Sequence, residues 1–207
     1  MNISEDSEFV TLQPDQPFFE TVYTAAPLVV VGTREADGTE NLAPKHMAIP
    51  LGWEDYFGFV CTPAHGTYQN AERTGVFTVS YPRPENVLEA SLAAAPRAED
   101  DSKPALADVE TADADAVDAP VLDDAYAVLE CTLQRTVDGF GDGHLVAGEI
   151  VAKHVHTDAY RTDETEPEAL LERSPVLTYL YPDRVARGVG WPQYLTARTF
   201  GPLSTHD

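Results

Sequence analysis

Asn41-Leu42-Ala43-Pro44-Lys45-His46 follows directly on a strand-like run and a hairpin signal. Asn and Pro beside a strand end make an irregular backbone with outward N–H groups, and Lys45 adds a positive charge. That chemistry suits a phosphate or the polar edge of a planar ring. A β-bulge carrying a solvated lysine accounts for the same residues. A second group runs from Thr62 through Pro63-Ala64-His65-Gly66-Thr67-Tyr68-Gln69 to Asn70. There a strand ends and a helix begins. Thr67 is a good N-cap, and the free N–H groups of a helix N-terminus attract an anion. Plain capping explains it equally. In Gly141-Asp142-Gly143-His144 the last position is not glycine and a strand follows, so this is no dinucleotide fingerprint. Its glycines serve a turn. His144, first in its strand, can point into a site at a barrel mouth or lie on the surface. His154 and His156 share one strand face. No third ligand is recognisable by spacing, so no metal is expected. No GxSxG, HExxH, CxxC or P-loop pattern occurs.

The elements that must hold these residues are mostly short strands. Pro27 to Thr33 is β-branched and nearly continuous, as in a strand buried on both faces or lining a barrel. Asp37-Gly38 marks a hairpin, and Thr39 to Ile49 returns. Pro44 excludes a regular central strand there and predicts that pairing ends or bulges. Tyr56 to Thr62 and Gly75 to Tyr81 read as two further strands. Between them His65 to Thr74 reads as a helix stopped by Gly75. Glu85 to Ala95 can form a short helix. Tyr126 to Val137 and Leu145 to His156 form a hairpin through Asp138 to Gly143. Pro175 to Tyr181 is the last ordered-looking patch. At least six short strands with little long-helix signal predict an antiparallel barrel or sandwich with small helices.

The stretch from 96 to 124 differs in character. It holds ten acidic and two basic residues, with Ala, Asp and Pro dominant. Few apolar anchors are present, so it reads as an exposed, loosely packed acidic connection.

The 207 residues suit one domain, 1–207, and 43% hydrophobic content supports a packed core. The formal net charge is −22, with 13 Lys+Arg against 35 Asp+Glu. Nucleic acid and anionic membranes would repel such a chain. Only three lysines occur, Lys45, Lys103 and Lys153. A lysine-poor acidic surface suits a soluble, halophilic protein, because concentrated salt screens its self-repulsion. The carboxylates read as surface charge rather than as paired catalytic acids. Cys61 and Cys131 lie in apolar runs and read as small hydrophobes, not a disulfide framework. No basic region followed by an apolar run opens the sequence, and no stretch is long and apolar enough to span a membrane. A cytoplasmic location is expected.

Taken in order, these pieces resemble the flavin reductase-like family with the FMN-binding split-barrel fold. The matching residues are Pro27-Leu28-Val29-Val30-Val31-Gly32-Thr33, Asp37-Gly38, and Asn41-Leu42-Ala43-Pro44. Next come the strand Phe57 to Thr62, Thr67 with Asn70, and Gly75-Val76-Phe77-Thr78-Val79. Leu129-Glu130-Cys131, Gly141-Asp142-Gly143-His144 and Gly148-Glu149-Ile150-Val151 complete the series. The resemblance spans roughly residues 20 to 181. It implies a mainly β, six-stranded antiparallel barrel of Greek-key type, and a homodimer with FMN in a groove.

By the same resemblance, Asn41 and the backbone of Leu42, Ala43, Pro44 and Lys45 line the flavin. Thr62, Thr67 and Asn70 attend its phosphate or ribityl chain. Lys103 supplies a basic phosphate ligand, His144 approaches the flavin as the candidate catalytic residue, and Tyr179 or Tyr181 covers the ring. Two places depart from the family pattern: Lys45-His46-Met47-Ala48 after Pro44, and His65-Gly66 before Thr67. The implied activity is transfer of hydride from NAD(P)H to bound flavin. The alternatives are a flavin carrier without nicotinamide activity and a split-barrel binder of haem through His65 or His144.

Overall fold

The computed structural model describes residues 9–184 and 192–196. A single antiparallel sheet dominates it. In chain order its strands are β2 (Val29–Arg34), β3 (Glu40–Lys45), β4 (Ala48–Pro50), β5 (Tyr56–Cys61), β6 (Val76–Tyr81), β9 (Ala127–Phe140) and β10 (Gly143–Val155). Their spatial order is β3-β2-β6-β9-β10-β5-β4, so six strands of six residues or more carry the sheet and β4 trims one edge. A small sheet joins β1 (Thr24–Pro27) to β11 (Leu177–Arg184) and β12 (Pro192–Thr196). A hairpin pairs β7 (Thr111–Asp113) with β8 (Pro120–Leu122). The helices are short: α1 (Phe18–Thr21), α2 (Gly66–Thr74), α3 (Val87–Ala93) and α4 (Pro167–Arg173). Among the described residues no helix is long and apolar enough to cross a membrane.

Burial follows the residue pattern. Val29 and Val31 face one core with Phe57, Phe59, Phe77 and Val79. Leu28 and Val30 face a second core with Leu42, Leu122, Leu177 and Tyr179. Both faces of β2 are therefore covered, which is why its sequence is a continuous apolar run rather than an alternating one. Pro44 lies inside β3, opposite Val30, and pairing stops one residue later at Lys45. The proline is accommodated because β3 is an edge strand. Gly75 ends α2 at φ +74°.

The segment 96–124 departs from the composition reading. It is ordered, and Val109, Val117, Ala119 and Leu122 are buried. The β7–β8 hairpin lies over β2 and β6. Thr78 Oγ1 donates to the Pro120 carbonyl, and Leu122 N–H donates to Ser80 Oγ at 3.0 Å. A side chain at Gly32 would strike that same carbonyl. Glu130, 1% exposed, accepts from the N–H groups of Asp115 (3.2 Å), Ala116 (2.6 Å) and Val117 (3.0 Å). His154 Nε2 sits 2.8 Å from its other side. Four anchoring apolar residues and one buried carboxylate hold this segment. An average over its composition conceals both.

Candidate functional site

The end of β3, the start of α2 and the residues after α3 enclose a cavity of about 490 Å³. Asn41, Ala43, Pro44 and Lys45 form one wall. His65, Gly66 and Thr67 form a second, and Arg97, Asp101 and Lys103 a third. The cavity thus joins residues far apart in the chain.

Asn41 is 1% exposed. Its amide nitrogen donates to Thr33 Oγ1 (3.0 Å) and Thr67 Oγ1 (3.2 Å), so the side chain is fixed. Its Oδ1 accepts no hydrogen bond in the structure. A buried carbonyl left unmatched costs about 1–3 kcal/mol, which a donor on a ligand would offset. Thr67 does not act as the N-cap: that position is His65, without a side-chain cap bond, and Thr67 lies one residue inside α2. The threonine is spent on Asn41, leaving the helix N-terminus to face the cavity.

Positive charge is concentrated here in a chain of net charge −22. Lys103 Nζ donates to the carbonyls of Leu42 (2.7 Å) and Ala93 (2.9 Å), which pins the lysine between β3 and α3. Burial, then the neighbouring Arg97 and Lys45, push it down to about 8. Partial desolvation, then Lys45, Lys103 and Arg97, hold His65 below its ordinary value. Both shifts register one unbalanced positive field, which an anion would relieve. Arg97 pairs with Glu35 across the cavity mouth. A side chain at Gly66 would collide with the Arg97 guanidinium, so the helix start is glycine.

The other sequence candidates are placed elsewhere. Leu42 is core, and only its carbonyl reaches the site, through Lys103. Thr62 does not line the cavity; its carbonyl accepts from His65 N–H at 2.9 Å. Asn70 is 4% exposed and turned inward, donating to Thr33 Oγ1 at 3.3 Å, so it braces the wall from behind. His144 lies against Tyr68, with ring centroids 5.5 Å apart, and is not on the cavity. The neighbour in α2, Thr67, takes the cavity side, so the helical turn separates the two. Tyr179 is buried and stacks on His46 with centroids 4.4 Å apart. Tyr181 pairs with Thr24 through the backbone, and its side chain lies outside the described residues. Arg97, Glu35 and Gly66 were missed as binding residues; Arg97 is one of just two cations in the acidic segment, the signal that singled out Lys103.

Asp115, Glu130 and His154 bring potential metal-ligand atoms within 4.8 Å of one another. Both Glu130 oxygens are already engaged, so the group reads as a clasp for the hairpin.

A cavity that offers a fixed amide carbonyl, a helix N-terminus and three cations fits a phosphorylated ligand with hydrogen-bonding groups. Residues 22–189 match the family model described as flavin reductase like domain. The chain belongs to the flavin reductase-like family. An uncharacterized protein of Methanothermobacter thermautotrophicus is 26% identical over 144 residues, 67% of either chain. Flavoredoxin from Methanosarcina acetivorans superposes with a TM-score of 0.72 at 16% identity, covering 96% of this chain and 97% of that one. A split barrel domain protein from Shewanella frigidimarina gives 0.69 at 20% identity, covering 86% and 85%. Members of the flavin reductase-like family share the curled sheet seen here, and these likenesses establish the split-barrel fold.

Proposed function

We propose that this chain is an oxidoreductase that binds the mononucleotide unit of a flavin, FMN in its simplest form, in the cavity beside Asn41. The observation that carries this reading is the convergence of Lys45, Arg97 and Lys103 on the start of α2, next to the unmatched Asn41 carbonyl. When bound, flavin supplies the redox chemistry, taking up hydride from NAD(P)H. The chain binds and orients. Lys103, held by two carbonyls, and Arg97 neutralise the phosphate. Asn41 Oδ1 accepts from a ribityl hydroxyl or ring N–H. Lys45, at the far end of β3, places positive charge beside the polar ring edge, where charge develops on reduction. His144 is not needed for any of these steps.

A homodimer is part of the same reading. Met47, Ile49 and Trp53 stand exposed around β4, Trp53 completely, and border an apolar cavity beside β1. Covering such a surface favours a second copy of the chain.

The test is the near-ultraviolet and visible spectrum of the protein purified in high salt, with and without added FMN. Shifted flavin bands are expected, followed by flavin-dependent NAD(P)H oxidation. A spectrum equal to the sum of its parts would overturn the flavin reading. Flavin bands without NAD(P)H oxidation would leave a carrier.

A further inference from the structure

Glu35, Arg97, Asp101 and Lys103 are also a wall of a second cavity, of about 800 Å³. The two cavities follow β3. Asn41 to Lys45 belong to the inner one, while Glu40 and the β2–β3 turn belong to the outer one. If a flavin phosphate rests at Arg97 and Lys103, as proposed above, anything esterified to that phosphate runs into the outer cavity.

We propose that the outer cavity takes the adenosine phosphate half of FAD, so that FAD is the preferred flavin of this chain. Three features argue for it. The first is charge. The inner cavity holds Lys45, Arg97 and Lys103 against Glu35 and Asp101, so 3 − 2 leaves one positive charge. A terminal phosphate carries close to two negative charges on one group, about −1.5 to −2. Each phosphate of a dinucleotide carries one, and Arg97 and Lys103 stand on the wall where both would lie.

The second is the change of lining beyond that wall. Glu40, Asp100 and Ser102 supply acceptors there, and carboxylates recognise the ribose hydroxyls of dinucleotides. The third is apolar surface for a base, from Ala36, Pro104 and Leu106. FMN would leave all of this facing water.

The test compares FMN and FAD titrated into the full chain in high salt, followed by flavin fluorescence, for wild type and Ala36→Trp. Ala36 is exposed on the turn and touches only the outer cavity, so the indole fills that space without entering the inner one. FAD is expected to bind roughly tenfold more tightly than FMN, and Ala36→Trp to bring FAD down to the FMN value while FMN is unchanged. Equal binding, or tighter FMN, in wild type would overturn the FAD proposal and leave the flavin reading standing. An FAD preference that survives Ala36→Trp would overturn the placement. Binding of neither flavin would overturn the flavin reading itself. Thermal unfolding of Ala36→Trp alongside wild type checks that the variant is folded.

Discussion

At the scale of single residues, Lys103 carries the most specific prediction. Burial, with Arg97 and Lys45, lowers it to about 8 from 10.5, so its charged form is the costly one in the folded chain. The unfolded lysine keeps its proton up to its ordinary value. Between those limits the unfolded chain holds more protons, and stability therefore rises with pH across that window. Below about 8 the cost is fully present. Denaturant midpoints of the ligand-free protein should increase over this range, and Lys103→Met should flatten the increase. Flavin binding should run the other way, because a bound phosphate favours the charged lysine: affinity falls as pH passes about 8. His144 gives the contrasting prediction. Its ring contacts Tyr68 and does not line the cavity, so His144→Ala should leave flavin affinity and turnover within twofold, roughly, of wild type. A large loss of turnover with retained binding would return it to a catalytic role. Asn41→Leu should weaken flavin binding by roughly tenfold or more, because it removes the unmatched acceptor, and fluorescence titration reads that directly.

At the scale of elements, the β7–β8 hairpin decides whether the site exists. It follows the segment that delivers Arg97 and Lys103, and Glu130 fastens it. Burial raises the Glu130 carboxyl, but the N–H of Ala116, then His154 and the N–H groups of Asp115 and Val117, outweigh that and leave it below its ordinary value. The stabilisation is present above the ordinary carboxylate range and is lost as pH falls through the lowered value. Glu130→Gln keeps the shape but weakens four charge-assisted contacts. About 1–3 kcal/mol of stability should be lost, seen as a lower denaturant midpoint, with faster proteolysis between β7 and β8. Gly32→Ala should damage the same junction from the opposite side, since its methyl group would meet the Pro120 carbonyl.

At the scale of the whole molecule, the charge of −22 sets the conditions under which the rest operates. Carboxylates crowd the mouth of the outer cavity and the acidic segment, and their mutual repulsion is screened over about 10 Å at 0.1 M salt and about 3 Å at 1 M. Thermal midpoints should therefore rise with added potassium chloride well beyond the concentration at which an ordinary domain levels off. A midpoint indifferent to salt would remove the halophilic reading. Flavin affinity should respond less steeply than stability, because its phosphate contacts lie in an enclosed pocket. The exposed apolar surface around Trp53 belongs to this scale too, and light scattering in high salt should give twice the chain mass.

Residue order alone was enough for the strand run from Val29, the helix ended by Gly75, and the long hairpin after Tyr126. Each of these depends on periodicity and turn chemistry within about a dozen residues. It was also enough to single out Asn41, Thr67 and Lys103, because their types and positions match a family pattern. What it could not contain is the direction in which each side chain points once distant segments meet. Thr67 was legible as a cap and became a brace for Asn41, because β3 packs across the first turn of α2. His144 and Tyr179 were legible as site residues and were turned away, one toward Tyr68 and the other into the core. Arg97 became a binding residue only when the acidic segment folded back over the sheet. That folding depends on a few buried contacts, at Val109, Val117, Leu122 and Glu130, whose free energy comes from neighbours remote in the chain. Local pattern determines where elements form; the cavity and its charge arise only where those elements are packed together.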